Sequence, residues 1–168
     1  MKHTHPLIIT LLLASLAAVC PAISKAAESE ADSKTLRVFI FAGQSNMVGS
    51  DSKVKDIQRF PPFAGLDLPQ DKVLFSYNLG REEKRTSNGW VALQPVDNVV
   101  GPELSFARRV AQNTEAPIAI IKCAAGGTTL GEDWNPDDPG GFKLYPLALQ
   151  LIQSSLAELD KKKIAYRI

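Results

Sequence analysis

The chemistry in this chain gathers around one hydroxyl. Ser45 sits in Gly43-Gln44-Ser45-Asn46-Met47, directly after the apolar run Val38-Phe39-Ile40-Phe41. Such a run suits a strand buried on both faces. Gly43 ends it and is expected to open a sharp turn, because glycine adopts backbone conformations closed to residues with a Cβ. In open α/β sheets, ligands bind at the C-terminal ends of the strands. Ser45 is therefore a hydroxyl lifted off a rigid scaffold, where a serine nucleophile has to be. The string is not the G-x-S-x-G elbow, since Met47 occupies the second glycine position. On spacing alone an ordinary turn explains it too, because Ser and Asn are common turn residues.

A second candidate element is Ala124-Ala125-Gly126-Gly127-Thr128-Thr129, after the apolar segment ending at Cys123. Small residues there let backbone N–H groups face a developing oxyanion. They do not match a phosphate loop, which needs G-x-x-x-x-G-K-[ST]. Further on, Trp134 opens a loop rich in proline and glycine. Its indole could stack on a sugar or plug the loop onto the core. Asp137 and Asp138 stand beside Pro139, which is ordinary turn chemistry.

A serine needs a base to take its proton, commonly a histidine oriented by a carboxylate. The only histidines are His3 and His5. No His or Cys cluster has metal-ligand spacing, so neither a metal nor another cofactor is expected. Cys123 lies in an apolar strand and is expected to be a buried, inert thiol.

Three strings taken together carry a resemblance. Gly43-Gln44-Ser45-Asn46-Met47 with Gly49, then Gly101-Pro102-Glu103, then Gly126-Gly127-Thr128 resemble, in order, successive blocks of the sialate O-acetylesterase-like carbohydrate esterases. These belong to the SGNH/GDSL hydrolase superfamily. The resemblance implies a flavodoxin-like α/β fold, three-layer α/β/α with a mostly parallel sheet. It implies a carbohydrate O-acetylesterase acting on an O-acetylated sugar, either sialic acid or a plant polysaccharide such as xylan. Ser45 would be the nucleophile. The N–H groups of Ser45 and of Gly126 or Gly127 would form the oxyanion hole, and Gln44, Asn46 and Trp134 are candidates for substrate contact. The family's Asp-x-x-His and Gln-Gly-Glu blocks have no counterpart here. The resemblance thus implies an N-terminal portion of such a domain, truncated at its C-terminus. Losing the triad histidine costs a serine hydrolase on the order of 10⁶ in turnover, so the chain as written is expected to be nearly inactive. The alternative is a non-catalytic carbohydrate-binding protein derived from such an esterase.

The elements that must position these residues follow from the pattern. The chain has 168 residues, 45% of them hydrophobic and 22% charged, with net charge +1. That suits one soluble domain and gives no reason to expect nucleic acid or an acidic membrane as partner. Residues 1–26 read as a signal peptide: Lys2, an apolar stretch from Leu7 to Val19, and Ser24-Lys25-Ala26 as cleavage site. Its removal takes two lysines and Cys20, so net charge becomes −1 and Cys123 is left alone. No membrane span is then expected in the mature chain, and the protein is expected to be exported to the periplasm or beyond. Residues 27–35 read as a disordered lead-in and residues 36–168 as the domain. Asp51 to Gln70 reads as a surface loop, and Arg81 to Asn88 as a solvated turn. Val73 to Tyr77 and Trp90 to Leu93 read as short, paired strands. Pro102 starts an amphipathic helix with Leu104, Ala107, Val110 and Ala111 inward. Pro117 to Cys123 is a buried strand, which after a helix implies a right-handed crossover and parallel pairing. A last helix runs from about Tyr145, and Ile164 to Ile168 reads as a third buried strand.

Overall fold

The computed structural model describes residues 30–81 and 84–168; the expected signal peptide lies outside the described residues. The described chain is an α/β fold built on a six-stranded sheet. Its strands are β1 (Leu36–Gly43), β2 (Gln70–Leu79), β3 (Arg85–Thr86), β4 (Val91–Leu93), β5 (Ile118–Ala124) and β6 (Tyr166–Arg167). β2, β5, β1 and β6 lie side by side in that order, all parallel. β3 and β4 pair antiparallel with the outer edge of β2. The helices are α1 (Glu30–Lys34), α2 (Ser45–Val48), α3 (Val54–Ile57), α4 (Pro102–Ala111) and α5 (Leu144–Lys161).

Alternation along the strands divides the core into two layers. Phe39, Val73, Phe75, Ile118 and Ile120 face α4, where Leu104 and Ala107 are fully buried. Phe106 of α4 meets Phe39 and Phe41 edge to face, at 4.9 and 5.2 Å between ring centroids. Leu36, Val38, Ala119 and Ile121 face the other way, onto Leu151, Ile152, Leu156 and Leu159 of α5. A serine pair, Ser76 and Ser155, shares a hydrogen bond at 2.8 Å across that second layer. With helices on both faces, the sheet is the middle of three layers, as expected.

Several expectations are corrected. The strand buried along its whole length is β5, which has a parallel neighbour on either side. β1 is only partly buried, and Ile40 is 42% exposed, because β6 pairs with β1 at Leu36 and Arg37 alone. β6 is itself a short, open edge rather than a buried strand, and Ile168 is exposed. Within residues 27–35, Glu30–Lys34 forms α1, and Asp32 makes ion pairs to Arg37 and Arg167. The solvated turn holds β3, where Arg85 pairs with Asp97 at 2.8 Å. Ala111 is exposed at the end of α4.

One feature of β5 was not foreseen. Lys122, in a strand otherwise apolar, is 0% exposed, and Glu103 in the first turn of α4 is 3% exposed. Their side chains meet at 2.6 Å. Burial holds the Lys122 ammonium below its ordinary pKa, and the Glu103 carboxylate opposes that shift. Removing one partner of such a pair leaves a buried charge uncompensated and costs about 3–5 kcal/mol, whereas replacing both by apolar groups is often neutral. Lys122→Met strands the carboxylate and is expected to cost about that much in urea unfolding at neutral pH. Glu103→Gln is expected to cost less, because Lys122 can shed its proton. Lys122→Met/Glu103→Leu is expected to recover most of the loss.

Candidate active site

β1 and β5 end level with one another: Gly43 is the register partner of Ala124, and Ala125 N–H donates to the Gly43 carbonyl at 3.2 Å. The turns that follow are therefore neighbours. After β1, Gln44 is extended and Ser45 begins the single turn of α2. Gly43 does not take a left-handed conformation, contrary to expectation. Its need for glycine is steric, since a Cβ there would lie 2.9 Å from Met47 Cβ. The left-handed residue is Gly49, at φ 89°, which ends α2. Its N–H and that of Ser50 both donate to the Ser45 carbonyl, at 2.9 and 3.2 Å.

Ser45 is half-buried, and Oγ donates to Gln44 Oε1 at 3.3 Å. Gln44 and Asn46 are exposed on either side of it. Across the gap lies Gly126: a Cβ built there would stand 3.8 Å from Ser45 Cβ. Gly127 turns away at φ 67°, toward Arg81. The Arg81 guanidinium donates to the Gly127 carbonyl at 3.4 Å and lies 3.7 Å over the Phe142 ring. The structure thus brings Ser45 to the diglycine turn, with Gly126 the nearer of the two.

Trp134 is half-buried and packs with Cys123, Ala125, Leu144 and Ala148. Its indole N–H donates to Thr128 Oγ1 at 3.3 Å, and that hydroxyl donates to the Ala125 carbonyl at 2.9 Å. Trp134 therefore fastens the loop to the core and braces the diglycine turn. Asp137 and Asp138 are exposed, and Asp137 N–H is taken by Asn135 Oδ1 in a local turn.

The acid that matters in this loop is Asp133, which the sequence did not single out. It is 3% exposed and accepts N–H groups of Phe142 at 2.8 Å and Thr129 at 2.9 Å. Those two donors hold its carboxyl below the usual carboxylate range. Its carbonyl also receives Tyr145 N–H at the start of α5. No spacing rule marks an aspartate whose partners lie four residues before it and nine after it. Lys122 did leave a signal, because a lysine inside an apolar strand requires a partner.

The fold defines the class of protein, an α/β domain with helices on both faces of a mostly parallel sheet. A family model described as "SASA: Carbohydrate esterase, sialic acid-specific acetylesterase" matches residues 35–165, and the chain belongs to that family. A crystal structure of a protein from Arabidopsis thaliana is similar at TM-score 0.48 and 24% identity, over 71% of this chain and 50% of that one. The chain thus spans about half the length of that protein. No curated protein matches the chain. No helix among the described residues is long and apolar enough to cross a membrane.

Two measurements test the local chemistry. Asp133 has a depressed folded pKa, so its contribution is fully present above the ordinary value of about 3.9 and is lost as pH falls through the folded value. The acid limb of the stability curve is expected to flatten in Asp133→Asn, read by thermal melts across acid pH. Burial pushes the Cys123 thiol up to about 11. Maleimide labelling of the native protein at mildly alkaline pH is therefore expected to run about a hundredfold slower than after unfolding.

Proposed function

We propose that the chain carries the nucleophile and oxyanion half of a carbohydrate O-acetylesterase site. The observation that carries this is the approach of Gly126 to Ser45 at the level ends of two parallel strands. Ser45 Oγ attacks the acetyl carbonyl of an O-acetylated sugar and forms a tetrahedral intermediate. The N–H groups of Ser45 and Gly126 hold its oxyanion. Such donors are worth about 10² to 10³ in turnover each. Gln44 Oε1 accepts a hydrogen bond from the Ser45 hydroxyl in the resting site and, with Asn46, borders the sugar. The base belongs to an Asp-x-x-His segment that residues 1–168 do not encode. Residues 1–26 act as an export signal, so the domain works outside the cytoplasm.

A second reading draws on the histidines, which are confined to positions 3 and 5. On that reading the chain binds acetylated oligosaccharides without turning them over.

The two readings part under one assay. p-Nitrophenyl acetate hydrolysis by the 168-residue chain is expected to be near background. Joining Ile168 to the Asp-x-x-His-bearing half of a family member is expected to raise it by on the order of 10⁶. Ser45→Ala should abolish that gain. A joined protein that hydrolyses equally well without the Ser45 hydroxyl would contradict the nucleophile assignment.

A further inference from the structure

We infer that Lys122 and Glu103 are positioning residues for the Ser45 turn, an inference that rests on Ser45 being the nucleophile. Lys122 Nζ lies 3.4 Å from the Val48 carbonyl as well as 2.6 Å from Glu103 Oε2. Val48 is the last residue of α2, one turn after Ser45. Its carbonyl is one of those that a helix end leaves without an intrahelical donor. A buried ammonium is suited to that place by hydrogen bonding and by charge.

The consequence lies in where Lys122 sits. Gly126 follows β5, four residues beyond Lys122. The Ser45 turn is therefore attached twice, once to the residue that follows β5 and once to β5 itself. Ala125 N–H holds the Gly43 carbonyl before the turn, and Lys122 Nζ holds the Val48 carbonyl after it. Between those two attachments stands Ser45, so the pair sets its distance from the diglycine. Glu103 ties the same point to α4. Backbone surrounds the assembly closely. A Cβ on Gly101 would collide with both charged groups, and one on Gly49 would collide with the Val100 carbonyl. Val100 N–H in turn donates to the Ser52 carbonyl at 2.9 Å.

Stability alone does not account for charge at this place. Desolvating two ions is costly, and apolar residues of similar volume are often as good or better. An apolar pair, however, has no donor for the Val48 carbonyl. An apolar pair can thus restore folding without restoring the hold on the Ser45 turn.

Phenylboronic acid adds to a serine hydroxyl held beside oxyanion donors: the Oγ–B bond forms as the hydroxyl proton passes to solvent, and boron-11 NMR below the reagent's own ionisation distinguishes this tetrahedral adduct from the trigonal free acid. The 168-residue chain is expected to form the adduct, and Ser45→Ala is expected not to. Lys122→Met/Glu103→Leu is expected to melt close to the parent yet bind the boronate on the order of a hundredfold more weakly, since a misplacement near 1 Å carries such a loss. Glu103→Gln keeps Nζ and an oxygen to receive it, and is expected to recover most of the affinity. A double variant that binds as tightly as the parent overturns the inference and leaves the Ser45 reading intact. If the parent forms no adduct, both fall together. If the double variant melts well below the parent, the pair is a stability device and the inference is overturned.

Discussion

The register between β1 and β5 is the constraint on which the rest of the structure depends. Seven consecutive positions pair, from Arg37 with Ile118 to Gly43 with Ala124. Side chains alternate across a strand, so a slip of one residue would exchange its two faces. In β5 that exchange would carry Lys122 from the α4 layer into the α5 layer, away from Glu103. It would also carry Ile118 and Ile120 away from Leu104 and Ala107. The apolar pattern and the buried ion pair thus specify the same alignment. The site inherits its geometry from this ladder, since the two turns are neighbours because the two strands end level.

The second layer of constraint is the loop from Thr128 to Phe142, which has little regular structure of its own. Asp133 gathers it by accepting N–H groups from both ends. A carboxylate with two backbone donors is a strong local organiser, because charge-assisted hydrogen bonds are roughly twice as strong as neutral ones. Trp134 then docks the loop on the core, and Thr128 links the indole to the Ala125 carbonyl. The diglycine turn is therefore held from its strand and from its loop.

Much of this was legible in the sequence. Apolar periodicity marks β1, β5, α4 and α5, and Pro102 marks the first residue of α4, because these signals arise within the element itself. Burial depended on neighbours and was less legible. The string Val38 to Phe41 is as apolar as Ile118 to Ile121, yet only the second is buried throughout, since only it has full-length partners on both edges. The glycine at position 43 was legible as a requirement but not for its reason, which is the Met47 side chain rather than the backbone angle. Asp133 was hidden because its partners are main-chain groups, which every residue carries. Asp137 and Asp138 drew the eye as a pair, and the structure leaves both in solvent.

The parts of an acyl-transfer site differ in what they demand of the chain, and that difference bears on how such a site divides between segments. An oxyanion hole is made of main-chain N–H groups, so it exists wherever the right two turns are held together. A proton acceptor is a particular side chain, and it can arrive from any segment that packs beside the serine. On the reading proposed here, residues 36–168 hold the part of the site that depends on β1 and β5 being adjacent and in register. That part cannot be assembled piecemeal, because the same ladder that aligns the turns also sorts the two core layers. The acceptor carries no such dependence. A carbohydrate esterase of this architecture can therefore lose turnover through one distant segment while keeping the shape that receives an acetyl group.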